Sequence, residues 1–410
     1  MSKNNTFLFK LGQGFISGLN LAFLFENLSA FDFAFLTSQG SAMMALGIVD
    51  LGIGVRFVNL NISYKFSKEA NSEKTQNRIF GIQHFTKYSL LISLILTGIS
   101  VPLSMYFSEK YRVILDFKTI CLIAITTFIF LVGNFVFRFY LVLNSLLRLV
   151  KLQLISSMIQ FVLSVLIFYL DYNAILNVYL LGIPNAILIA DLIFLQNKHL
   201  SVFFTGKESK SKFDFSPSMQ LVQVTQAAII IIISIAIAKH LTDLDAAFSS
   251  FMQRASSTLL AAMGMSFIQN WIDLRSKNPF NVFILRNNNW VTRYDFINRK
   301  KTLISAFSVF CIASCFILWH MGIAIVLQLS TAMWILVVIT QLAYWTEYFD
   351  FLKREKYLEL FMSSLIGLIT IISTLLLVNR GGLLLPPLLY IISQMVSYLS
   401  LYLIRMKNQK

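Results

Sequence analysis

The chain is 410 residues long, 57% hydrophobic and only 13% charged, with a formal net charge of +15. Soluble globular chains run about 45–50% apolar and about 25% charged, so the composition excludes an ordinary soluble domain and predicts an all-α polytopic membrane protein. The positive charge does not argue for nucleic acid as a partner, because the basic residues occupy short connections between apolar runs and do not form one basic face.

The N-terminal stretch MSKNNTFLFKLGQG has no small-residue cleavage site after a short apolar core, so it reads as a retained first helix and not as a signal peptide. A helix needs roughly 20 apolar residues to cross the hydrocarbon. Applied along the chain, that length predicts about twelve spans, near 7–28, 33–55, 86–107, 117–137, 152–170, 174–196, 219–239, 246–270, 302–320, 324–346, 358–378 and 383–404. Charge orients them. With both termini cytoplasmic, most of the 34 basic residues fall on the inside, and only Lys110, Arg112, Lys118, Lys239 and Arg380 fall outside. That skew is the positive-inside pattern. Arg254 is left within a span.

The connections repeat. A long one follows span two (59–84) and span eight (272–301), and every outer connection is short. Two parallel six-helix repeats would produce this pattern: an N-terminal lobe over 1–205, a cytoplasmic linker GKESKSKFDFSPS at 206–218, and a C-terminal lobe over 219–410, enclosing a central cavity.

Lys10, Gln13, Ser17, Asn20 and Asn27 in span one are separated by 3, 4, 3 and 7 residues, which keeps them on one helical face. Such a stripe faces either a wet cavity or neighbouring helices bonded to it. Gln220, Gln223 and Gln226 open span seven in the same manner, or mark its headgroup boundary. Arg254 lies about nine residues into span eight, near mid-membrane at about 1.5 Å rise per residue. A cation there is costly, and its fork of donors suits phosphate oxygens; the alternative is an ion pair with Asp50, Asp191 or Glu26. Arg56 and Arg138 either ring a cytoplasmic mouth or anchor their spans. Lys10, Gln13, Asn20, Arg56, Arg138, Gln223 and Arg254 are therefore the candidate substrate-binding residues, and Asp50, Asp191 and Glu26 the candidate ion-coupling carboxylates.

Cys121, Cys311 and Cys315 lie in apolar stretches, and the four His residues are scattered, so no metal site is expected. No phosphate-cradling glycine loop or nucleophile elbow is present, and no cofactor or enzymatic activity is expected.

Three stretches carry a family likeness: Gln13-Gly14 opening span one, Gly47-Ile-Val-Asp50-Leu-Gly52-Ile-Gly54-Val-Arg56 ending span two, and Asp245 through Phe248, Gln253 and Arg254 to Phe267, Ile268 and Trp271 in span eight. The loop with Asn289-Trp290-Val291 before a basic run fits as well. Together with the span count and length, the chain resembles the Wzx-type oligosaccharide flippases, within the superfamily that also holds multidrug and toxic-compound extruders. Two departures stand out: Glu26 occupies the place of a frequent Arg, and Asn289 that of an Asp. The resemblance implies movement of an undecaprenyl-pyrophosphate-linked oligosaccharide from the inner to the outer leaflet of the bacterial cytoplasmic membrane. The two lobes would open alternately, and Arg254 would serve as the pyrophosphate or acidic-sugar ligand. It also implies membrane lipids, a polysaccharide polymerase and a chain-length regulator as partners, in O-antigen or capsule assembly. The rivals are a multidrug-type ion-coupled exporter on the same fold and a membrane glycan polymerase or acyltransferase.

Overall fold

The computed structural model describes residues 3–49, 72–142, 146–170, 176–195, 217–257, 260, 325–353, 356–378 and 382–407. Among them the regular structure is helical. The helices are α1 (Lys3–Asn27), α2 (Ala30–Ile48), α3 (Ser72–Lys110), α4 (Phe117–Val142), α5 (Leu146–Tyr169), the short α6 (Leu176–Leu180), α7 (Ile183–Leu195), α8 (Pro217–His240), α9 (Ile325–Lys353), α10 (Tyr357–Leu377) and α11 (Leu385–Lys407). Residues 243–257 are helical as well. Eight helical segments among the described residues are long and apolar enough to cross a membrane. They coincide with expected spans three to seven and ten to twelve. The span expected at 302–320 lies outside the described residues, as do Asp50 and Arg56.

The chain divides into two compact units, Met1–Gln269 and Asn270–Lys410. In the first, α2 is central: it packs against α3, α4 and α8, and α1 lies along α5. Residues 33–43 of α2 are buried without interruption. Asp32, Thr37, Ser38, Gln39 and Ser41 make α2 too polar for a lipid-facing helix, and its neighbours shield them. Gln39 Oε1 accepts from Ser104 Oγ at 2.9 Å, and Ser38 pairs with the Tyr111 hydroxyl at 3.2 Å. The helix starts cleanly because Ser29 Oγ accepts the Asp32 N–H at 3.1 Å and donates to the Asp32 carboxylate at 2.6 Å, a form of capping box. The outer faces are apolar, as a bilayer requires: Leu91, Leu94 and Ile95 of α3 and Ile155, Met158 and Val162 of α5 are all exposed.

Span six, expected as one helix, is broken. Helix α6 ends in a turn at Leu181 and Gly182, and α7 restarts at Ile183, one residue before Pro184. The proline lacks an N–H and is tolerated in a first helical turn, where no intrahelical partner is needed. Close packing holds the restart in place. A Cβ on Gly133 of α4 would overlap Asn185 Cβ and stand 2.8 Å from its Cα, so α4 and α7 approach this closely only because position 133 is glycine.

Among the described residues, the second unit comprises α9, α10 and α11, which pack on one another. Serines tie α10 to α11: Ser363 Oγ donates to the Ser397 carbonyl at 2.8 Å, and Ser397 Oγ donates to the Ser363 carbonyl at 3.0 Å. Between them sits Gly367, where a Cβ would overlap Ser397 Oγ. Arg405 of α11 bonds both carboxylate oxygens of Glu347 of α9, at 2.9 and 3.2 Å.

Candidate functional site

A cavity of about 260 Å³ opens inside the first unit. Helix α1 contributes the expected stripe, Lys10, Gln13, Ser17 and Asn20. Opposite it, α5 contributes Gln153, Ser157, Gln160 and Ser164, spaced by 4, 3 and 4 residues. The same helical arithmetic therefore puts them on one face. Asn134 of α4, Asn177 of α6 and Asn185 of α7 add amides, and Thr37 and Met44 of α2 close another wall. Arg254 and Ser257 enter from the helical stretch 243–257. No Asp or Glu lines this cavity among the described residues.

Two cations differ in how they are held. Lys10 is buried, and its Nζ donates to Gln13 Oε1 at 2.5 Å and to Gln153 Oε1 at 2.9 Å, so two neutral amide oxygens on facing helices share the ammonium. Arg254 is half-buried. Its guanidinium lies over Gly40, where a Cβ would stand 3.3 Å from Cζ, and it donates to Met44 Sδ. A thioether is a weak acceptor, and no carboxylate among the described residues forms an ion pair with Arg254. The guanidinium keeps donors for a ligand.

The remaining candidates lie elsewhere. Asp191 is buried on α7, where Arg148 grips it in a fork at 2.6 and 3.0 Å and the Tyr140 hydroxyl donates to it. Its charge is already matched within the first unit. Glu26 is exposed near the end of α1 and is not among the cavity-lining residues. Gln223 is buried on α8 and also lies outside this lining. Arg138 lines a much smaller pocket of about 10 Å³ with Gly47, Val49 and Asn134, and its guanidinium carbon lies 5.8 Å from the centroid of Phe137. Asp50 and Arg56 fall outside the described residues. The stripe on α5 was missed, although its spacing is as plain as that on α1.

No family model matches the sequence, and no curated protein does. Solved structures do match in three dimensions. An outward-facing multidrug resistance MATE family transporter of the MOP superfamily aligns at a TM-score of 0.60 with 14% identity, over 99% of this chain and 98% of that one. A MATE protein in complex with MaD3S aligns at 0.58 with 10% identity, over 98% and 94%. An inward-facing multidrug resistance MATE family transporter aligns at 0.52 with 13% identity, over 99% and 95%. The fold is MATE-like. At such identities the likeness concerns architecture, and function has to be argued from the cavity. In this MATE-like chain the cavity of the first unit is polar and carries two cations.

Proposed function

We propose that this chain is an alternating-access exporter of the bacterial cytoplasmic membrane whose cargo is anionic, and that the cargo is an undecaprenyl-pyrophosphate-linked oligosaccharide. The observation that carries the reading is the charge of the cavity. Lys10 and Arg254 both line it, and among the described residues no carboxylate does and Arg254 has only a sulfur acceptor. A half-buried guanidinium with open donors favours a phosphate-bearing group over a cation. The resemblance of the span-two and span-eight stretches to Wzx-type flippases supports a lipid-linked glycan as the bearer of that phosphate. The pyrophosphate and sugars would cross through the protein while the polyprenyl tail remains in lipid.

A second reading, a multidrug-type exporter, is favoured by the structural neighbours, two of which are multidrug resistance MATE family transporters. Gene disruption separates the two. The flippase reading expects surface glycan to fail and single lipid-linked repeat units to accumulate on the inner leaflet. Normal surface polymer together with hypersensitivity to organic cations would instead establish the second reading. Within the first, Arg254→Ala should lower export at least about tenfold, the loss of one charge-assisted contact. Arg254→Lys should restore part of it. Full export by both variants would remove Arg254 from the site.

A further inference from the structure

We propose that the wall between α1 and α5 is a subsite for one uncharged, polyhydroxylated sugar ring; this rests on the reading of a glycan-bearing cargo and assigns the part of the cavity that the two cations leave over. Below Lys10 the facing residues are neutral: Ser17 and Asn20 on α1 meet Ser157, Gln160 and Ser164 on α5. Across the ladder Ser17 Oγ donates to Ser157 Oγ at 3.4 Å. Asn20 Oδ1 and Ser164 Oγ are buried and have no hydrogen-bond partner among the described residues. Buried polar atoms are nearly always bonded, and leaving them unmet is costly. Unlike unmet atoms outside the lining, such as Ser93 Oγ and Ser393 Oγ, these two border the cavity, where a bound group can supply the missing bond.

The donor and acceptor pattern selects the ligand class. Amides and hydroxyls offer donors and acceptors together, and a sugar hydroxyl also does both. An organic cation would leave the amide donors unmet, and an apolar molecule would leave both kinds unmet. Lys10 sharpens the pattern. Gln13 and Gln153 turn their carbonyl oxygens to the ammonium, which leaves their amide N–H groups as donors along the same wall. Two of the three ammonium N–H groups are taken, and the third remains for the ring. At about 260 Å³, the cavity has room for a sugar ring.

The test uses the full chain in lipid nanodiscs. Equilibrium binding is measured for bare undecaprenyl pyrophosphate, for the same lipid carrying glucose, galactose or N-acetylglucosamine, and for the three corresponding methyl glycosides. The subsite predicts that at least one sugar-bearing lipid binds at least about tenfold more tightly than the bare lipid. Ser164→Ala and Gln160→Leu, both near-isosteric, should abolish that preference and leave bare-lipid affinity within about twofold. A methyl glycoside that binds and is lost in the same variants, with no lipid binding, assigns the subsite to free sugar and overturns the lipid-carrier reading alone. If no sugar-bearing lipid outbinds the bare one and no glycoside binds, or if both variants keep the full preference, the ladder holds only water and the proposal is overturned. Bare-lipid binding that depends on Arg254 would in that case leave the anionic-cargo reading standing.

Discussion

In Met1–Gln269 the polar side chains of α1 and α5 converge on open volume, whereas in Asn270–Lys410 serines within α10 and α11 donate straight into the backbone of the facing helix. Both units carry hydroxyls and glycines on apolar helices, so residue type does not separate them. Both also hold buried polar atoms with no partner among the described residues, Ser393 Oγ and Gln394 Oε1 among those of the second, so the difference lies in whether such atoms border a cavity. Ser363 and Ser397 complete each other's bonds, and Tyr344 pairs with Ser364 at 3.2 Å. Ser164 and Asn20, by contrast, retain unmet atoms beside a cavity. Polar groups within a membrane protein thus serve as helix glue or as lining, and an unmet bond beside open volume is the mark of lining.

Three pairs of substitutions probe that contrast, each read as thermal stability in nanodiscs. The largest effect belongs to glycine. Gly133→Ala should destabilise by more than about 3 kcal/mol, because its methyl meets the Cβ and Cα of Asn185, which cannot rotate away. Gly367→Ala should cost less, since the atoms it meets first are serine hydroxyls, Ser397 Oγ and, at 2.9 Å, Ser393 Oγ. Equal losses would break the distinction between rigid and adjustable contact.

Next come the charged ties, one per unit. Arg148→Met strands Asp191, and Arg405→Met strands Glu347, so each should lose about 3 kcal/mol, the cost of an uncompensated buried charge. Asp191→Asn placed on Arg148→Met should recover much of the loss. No recovery would show that Asp191 carries its charge for a purpose other than this pairing.

The smallest effect sharpens the contrast most. Ser397→Ala should cost about 1 kcal/mol by removing a bond to the Ser363 carbonyl. Ser164→Ala should leave stability unchanged or slightly raised, because among the described residues its hydroxyl has no partner to lose. If Ser164→Ala destabilised as much as Ser397→Ala, its hydroxyl would be glue after all.

How far the sequence revealed this molecule depended on range. The stripe from Lys10 to Asn20 was legible because helical spacing is a local property; the structure puts it on the cavity wall and also bonds Lys10 and Ser17 to α5, so it has features of both readings. Gln153, Ser157, Gln160 and Ser164 follow the same rule but sit among bulky apolar residues, whose hydropathy masked them. Arg254 stood out by its cost; of the carboxylates weighed as its partner, Asp191 is paired with Arg148, Glu26 lies outside the cavity lining and Asp50 lies outside the described residues. The fork from Arg148 to Asp191 joins residues 43 apart, and nothing in their spacing announces it. The break in span six was written in Gly182 and Pro184, but a count of apolar residues runs through a turn as readily as through a helix.

That break has an electrical consequence. Restarting at Ile183 gives α7 a free N-terminal end, and its first residues, Pro184 and Asn185, are part of the cavity wall. Aligned peptide dipoles concentrate about half a unit of positive charge at such an end. This contribution comes from the backbone, so no proton can leave it and no side-chain substitution can remove it. The cavity in the first unit would therefore keep a positive bias even with Lys10 and Arg254 both replaced by neutral residues, a floor of potential set by the path of the main chain.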